Sequence, residues 1–106
     1  MKELKEHYKL VRNNIPDILK NKGINCNFHI AGADEFEKEL YKKLIEELEE
    51  FKENPCVEEL ADMLEVLDSM RRFHKINLNE LKTNKSVKKE ERGGFSDRII
   101  LDTTSE

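Results

Sequence analysis

The sequence predicts an all-α domain built on two long helices that pack as an antiparallel hairpin. Large apolar residues recur at helical spacing in two consecutive segments, and an Asn-Pro pair lies between the segments. The first set contains Phe36, Leu40, Leu44, Leu48 and Phe51, and the second contains Val57, Leu60, Met63, Leu64, Leu67 and Met70, with Val66 and Phe73 widening its apolar face. Because helices joined by a short connection pack against each other, we expect a hairpin that turns at Asn54-Pro55.

Composition supports one helical domain over residues 1–106, with the last few residues frayed. The chain is 40% charged and 37% hydrophobic, as in compact helical proteins. A net charge of −4 gives no general attraction to nucleic acid or anionic membranes. No apolar run approaches the roughly 20 residues of a membrane span, and the segment MKELKEHYKLVR lacks a signal-peptide core. Cys26 and Cys56 are too few for a disulfide framework, so we expect a cytoplasmic protein with reduced thiols.

Shorter elements flank the hairpin. Pro16 suits the first turn of a helix and Gly23 suits its end, whereas residues 25–31 alternate polar and apolar side chains as a short strand does. Asp34 and Glu37 have the spacing of a capping box at the start of the first long helix.

A third, polar helix is predicted near residues 78–92. Asn77 with Glu80 offers its cap, and Gly93-Gly94 offers its end. A β-prone run follows at residues 98–101.

Residues 46–62, EELEEFKENPCVEELAD, are rich in carboxylates, and helical phase separates them into two groups. Glu47 and Glu50 lie at i,i+3 spacing beside the apolar stripe of the first long helix, and Glu59 and Asp62 repeat that spacing on the second. Four converging carboxylates repel one another, so they must take up protons or bind a cation. Oxygen ligands without Cys or His favour Mg²⁺ or Mn²⁺, although spacing alone leaves a solvated acidic surface as the alternative.

The same residues resemble a known family. Glu46-Glu47-x-x-Glu50 followed by Glu59-x-x-Asp62 is similar to the EExxE…ExxD signature of the all-α nucleoside triphosphate pyrophosphohydrolases, which include MazG, the dimeric dUTPases and phosphoribosyl-ATP pyrophosphohydrolase. The stretches YKLVRNNIPDIL and KKEERGGF resemble a small, single-domain MazG-like subgroup, with Asn13 and Asn14 departing from its usual Asp-Lys.

This resemblance implies a MazG-like helical bundle that hydrolyses a (d)NTP to the monophosphate and pyrophosphate with Mg²⁺. It implies that water attacks the α–β phosphate linkage, in an enzyme that removes unwanted nucleotides from the pool. The metal ligands it implies are Glu47, Glu50, Glu59 and Asp62. The resemblance also implies that Glu47 and Glu46 are the catalytic residues, with Glu46 as a supporting acid that helps to polarise the attacking water.

A triphosphate also requires cationic partners. Lys85, Lys88, Lys89 and Arg92 share one face of the third helix, and Arg92 precedes two glycines whose backbone N–H groups are accessible to an anion. Lys9 and Arg12 form a second candidate set. We therefore predict phosphate contacts from Lys9, Arg12, Lys85, Lys89 and Arg92, although a solvated basic stripe explains the lysines equally well. His7, His29 and His74 have no metal-ligand spacing and are expected to be structural or exposed.

The wide apolar face of residues 57–73 predicts a homo-oligomer, and the family resemblance implies a homodimer or homotetramer. Three functions remain as alternatives to hydrolysis of a general (d)NTP: sequestration of a nucleotide without turnover, a phosphoribosyl-ATP pyrophosphohydrolase-type activity, and a helical interaction module. The sequence does not select a base or a sugar.

Overall fold

A computed structural model describes residues 4–106, and this part of the chain contains four α-helices and no strand, which confirms the all-α prediction. The helices are α1 (Ile15–Asn21), α2 (Ala33–Glu53), α3 (Val57–Phe73) and α4 (Leu78–Arg92). Two units follow each other along the chain: one ends at His74 and carries α1, α2 and α3, and the other spans Lys75–Glu106 and carries α4.

Helices α2 and α3 pack together as the predicted hairpin. The connection is three residues long: Asn54 caps the end of α2, with its N–H donating to the carbonyl of Glu50 at 3.0 Å, and Cys56 caps the start of α3. Pro55 therefore lies just before the N-cap rather than at the first helical position. Its fixed φ and missing N–H suit this tight connection equally well.

The contact between α2 and α3 centres on Leu40, which is 2% exposed, and on Val66. Phe36 and Phe73 extend it through an edge-to-face contact with ring centroids 5.5 Å apart. The face of α3 that packs is therefore the one that carries Val66 and Phe73, which the sequence pattern had treated as a flank.

The stripe expected to form the centre of that contact is largely exposed. Val57, Leu60, Leu64 and Leu67 all present their side chains to solvent in the chain. Because Glu59 and Asp62 share the Val66 and Phe73 side of α3, this rotation of the helix directs both carboxylates toward α2.

Two helix ends agree with their predicted signals. Pro16 lies in the first turn of α1, and Gly23 follows its end at φ +76°. The Gly23 N–H donates to the carbonyl of Lys20 and the Ile24 N–H donates to that of Leu19, both at 2.9 Å, which is the Schellman pattern.

The boundaries predicted for the polar helix near residues 78–92, which is α4, are also confirmed. At α4, the Asn77 side chain accepts from the Glu80 N–H at 3.0 Å, and Gly93 ends the helix at φ +83°.

Two local predictions are wrong. Residues 25–31 form no strand, and the described chain pairs neither this segment nor the β-prone residues 98–101 with a neighbour. The apolar side chains of both segments are mostly exposed. The N-cap of α2 is Gly32, so Asp34 lies inside the first turn and makes no capping-box bond. There its charge still favours the positive end of the helix dipole.

Among the described helices, none combines the length and the apolar composition that crossing a membrane requires.

Candidate metal centre

The hairpin brings carboxylates of both helices together around Glu47. One oxygen each from Glu47, Glu59 and Asp62 lies within 4.8 Å of the others, and the same is true of Glu46, Glu47 and Glu50. All four predicted metal ligands therefore belong to one pair of overlapping groups, which we call the acidic cluster. Glu50 belongs to the group that it forms with Glu46 and Glu47 on α2, and not to the group that contains Glu59 and Asp62. Both groups offer the donor atoms and spacing to hold a metal ion.

Helical phase explains why these side chains converge. Glu47 follows Leu40 and Leu44 along α2 at spacings of seven and three residues, so it occupies a position on the buried stripe itself. On α3, Asp62 and Val66 are four residues apart and share the packed side. A carboxylate thus occupies a core position on α2, facing two more on α3.

Glu47 is 5% exposed, which is unusual for an acidic residue. Its Oε1 lies 3.3 Å from Nζ of Lys43, but its Oε2 and Oε2 of Glu59 are buried with no hydrogen-bond partner within residues 4–106. A buried carboxylate oxygen without a partner destabilises the folded state. A cation bound between the two helices is one group that could pair with such oxygens, so the residues fit a metal site.

The surroundings of Glu47 disfavour its ionised form. Burial raises the pKa of its carboxyl above the usual value, and the Lys43 ammonium partly opposes that rise. The negative charges of Glu50 and Asp62 raise the pKa further. Protons and cations therefore compete for this carboxylate.

Within residues 4–106, three basic side chains contact the acidic cluster. The Arg12 guanidinium lies 2.7 Å from Oδ1 of Asp62, and the Lys9 ammonium lies 3.3 Å from Oε1 of Glu46. Lys43 lies 3.5 Å from Oε2 of Glu46, in addition to its contact with Glu47. Lys9 and Arg12 were predicted as phosphate ligands, and both lie at the acidic cluster. Lys43 was missed, although its i,i+3 and i,i+4 spacing to two acidic residues was visible in the sequence.

A cavity of about 130 Å³ adjoins the cluster. It is lined by Tyr8, Lys9, Leu10, Glu39, Lys42, Lys43 and Glu46. Since one water molecule occupies about 30 Å³ of liquid, this space suits a few waters or one small anion, whereas pockets for whole organic ligands start near 300 Å³. Tyr8, at φ +48°, is exposed at this cavity rather than packed in a core.

The remaining predicted phosphate ligands lie in the second unit. Lys85, Lys89 and Arg92 are exposed on α4, and Arg92 is its last residue, directly before Gly93.

His29 and His74 contact side chains that lie outside the acidic cluster. His29 contacts the Glu35 carboxylate at 3.0 Å, and His74 Nε2 lies 2.9 Å from the Tyr41 hydroxyl. Both contacts agree with the structural or exposed roles expected of them.

Comparisons with known proteins do not extend the assignment. No protein-family model matches the chain, and it matches no curated protein and no solved structure among those compared.

Proposed function

We propose that this chain is a Mg²⁺-dependent nucleoside triphosphate pyrophosphohydrolase that converts (d)NTPs to monophosphates and pyrophosphate. The observation that carries the proposal is Glu47, a buried carboxylate with an unpartnered oxygen, set among acids from two helices. The resemblance of these acids to the EExxE…ExxD signature supports the reaction class. The free thiols of Cys26 and Cys56 support a cytoplasmic location.

The donor set supports a hard cation, of which Mg²⁺ is the one we propose. Both groups of the acidic cluster consist of carboxylates alone, which suit hard cations such as Mg²⁺ or Mn²⁺ better than zinc. Glu47, Glu50, Glu59 and Asp62 hold the cation in this proposal. When bound, it supplies neutralisation of phosphate charge and a lower pKa for coordinated water.

The other residues of the site bind and orient the substrate. Glu46, adjacent to Glu47 and contacted by Lys9 and Lys43, accepts a hydrogen bond from the attacking water. Arg12 and Lys9 bind phosphate oxygens, because a guanidinium and an ammonium at the edge of the cluster meet the charge of the triphosphate. Lys85, Lys89 and Arg92, on α4, stay predicted phosphate ligands of the second unit.

Release of pyrophosphate from a panel of canonical and modified (d)NTPs with Mg²⁺ tests this proposal. Glu47→Gln keeps the side-chain shape and removes the charge, so it should abolish release. Glu49→Gln is the matched control, since Glu49 is an exposed residue of the same helix that contacts Lys52.

The outcomes of this assay separate the alternatives. Loss in Glu47→Gln with retention in Glu49→Gln supports the enzyme. Binding of a nucleotide without release indicates sequestration instead. Failure to bind any nucleotide contradicts both.

The proposal includes a homo-oligomer. Val57, Leu60, Leu64 and Leu67 form an exposed apolar row on α3, and Ile45 and Leu48 add exposed apolar area on α2. Their spacing of three and four residues matches that of helices that pair with a second copy. Analytical ultracentrifugation should show a dimer or tetramer, and a monomer at micromolar concentration contradicts this part.

A further inference from the structure

Arg12 and Lys43 occupy carboxylates that the proposed function assigns to a metal ion, and Lys9 contacts Glu46, which lies in the same group of acids as Glu47 and Glu50. Arg12 contacts Asp62 at 2.7 Å, and Lys43 contacts Glu47 at 3.3 Å. A carboxylate oxygen that binds a divalent cation lies near two positive charges if its ammonium or guanidinium partner stays in place. Contact with the basic side chain and contact with the metal therefore oppose each other.

We infer that Lys9, Arg12 and Lys43 exchange partners during binding, an inference that rests on the proposed function. Without a divalent cation they neutralise the carboxylates of the cluster. When a cation takes those carboxylates, the same three groups turn to the phosphate groups of the ligand. Divalent cation and phosphate therefore bind with positive cooperativity, and by linkage each strengthens the binding of the other.

The burial of Glu47 explains why neutralisation is needed at all times. Its side chain is more than nine-tenths buried and its Oε2 has no partner in the described chain, so bare charge in the cluster is unfavourable. Lys43, itself mostly buried, is the neutralising group closest to Glu47 along α2. Positive charge is therefore present at the carboxylates in both states, from the basic side chains without metal and from the divalent cation with it.

A phosphate group in the cavity beside the cluster would lie next to the displaced ammonium groups. Lys9 and Lys43 line it together with Lys42, and its volume of about 130 Å³ suits a phosphate or diphosphate group and not a whole nucleoside. The ligand class is therefore the polyphosphate of a nucleotide. The base then lies outside this cavity.

Arg12→Gln tests the exchange because its two expected effects have opposite signs. Mn²⁺ binding to the full chain, measured by electron paramagnetic resonance of the free ion at low ionic strength, should tighten by about two- to fivefold, since one exposed ion pair no longer competes. Binding of imidodiphosphate, a non-hydrolysable diphosphate, at saturating Mg²⁺ should weaken by about tenfold, since a charge-assisted contact is lost.

Arg72→Gln is the matched control. Arg72 forms a similar pair with Asp68 at 3.0 Å, is exposed, and lies outside the acidic cluster, so both affinities should stay within about twofold of the wild type. Lys9→Gln repeats the test at a second ion pair, which Lys9 forms with Glu46 of α2. Its control is Lys52→Gln, which removes the partner of Glu49 on the same helix. All four side chains are exposed, and circular dichroism checks that each variant folds.

Each other outcome overturns the exchange. Weaker diphosphate binding with unchanged Mn²⁺ affinity shows that Arg12 contacts phosphate without competing with the metal. Unchanged or weaker binding of both ligands shows a structural ion pair. A wild-type chain that binds no Mn²⁺ removes the proposed function as well, which distinguishes that failure from the first two.

Discussion

Glu47→Gln should stabilise the metal-free protein and destabilise the metal-bound one. In the folded chain four carboxylates each have an oxygen within 4.8 Å of Glu47, namely those of Glu46, Glu50, Glu59 and Asp62, and Nζ of Lys43 lies 3.3 Å away. Lys9 and Arg12 offset the charges of Glu46 and Asp62, so the repulsions from Glu50 and Glu59 are the two that we count. At an effective dielectric near 20, each repulsion amounts to about 3.5 kcal/mol and the attraction to about 5 kcal/mol. The two repulsions outweigh the attraction by about 2 kcal/mol, before the cost of burying the charge is added.

The free energy of unfolding, measured with urea in the presence of a chelator, should therefore rise by about 2 kcal/mol in Glu47→Gln. With Mg²⁺ at about 100 times its dissociation constant, the wild type gains about 2.7 kcal/mol from binding, and the variant loses most of that gain. The order of stability should then reverse. Glu49→Gln, on the exposed side of α2, should behave as the wild type in both conditions.

A Glu47→Gln variant that is less stable than the wild type without metal contradicts this reasoning. It would show that the contact with Lys43 outweighs the repulsion, and that Glu47 is a structural ion-pair partner. Equal stability differences with and without Mg²⁺ would likewise show that the cation does not bind at Glu47.

Three further predictions concern pH, a helix end and the exposed apolar row. Because the pKa of Glu47 is raised above its usual value of 4.5, the native state holds that proton longer, so metal-free stability should fall as pH rises from about 4.5 through the raised pKa. Urea titrations at several pH values should show this fall in the wild type and a smaller one in Glu47→Gln; equal falls contradict it. Gly23→Ala should lower the free energy of unfolding by about 1–2 kcal/mol, because an alanine is strained at φ +76°. The added Cβ meets no atom within 4 Å, so this backbone strain is the whole expected cost. Thermal unfolding measures the change, and an unchanged stability contradicts the prediction. Leu64→Glu places a charge in the exposed row on α3 and should shift sedimentation toward the monomer, whereas Glu65→Gln, also exposed, should not; an unchanged oligomer in Leu64→Glu contradicts the proposed interface.

The hairpin was predictable because its signals are local. Apolar spacing, the break at Asn54-Pro55 and the cap formed by Asn77 each depend on residues within a few positions of one another. The phase of Glu47, Glu59 and Asp62 follows from the same period, so their convergence could be expected once the hairpin was assumed.

The rotation of α3 could not be predicted in the same way. Its apolar residues cover more than half of the helix circumference, so either Leu60 and Leu64 or Val66 and Phe73 fit a packed face. Contact with α2 selects the second pair, and this choice depends on side-chain packing between helices rather than on spacing. The strand expected at residues 25–31 failed for a related reason, since alternation predicts a strand only where another strand is present to pair with it.

In the proposed function the acidic cluster binds a divalent cation through Glu47. Titration of Mn²⁺ into the wild type, Glu47→Gln and Glu49→Gln, followed by electron paramagnetic resonance, measures this binding. We predict saturable binding to the wild type and Glu49→Gln, and an affinity at least about tenfold weaker in Glu47→Gln, since a direct carboxylate ligand is lost. Equal affinity in all three proteins, or no binding to the wild type, would contradict the claim.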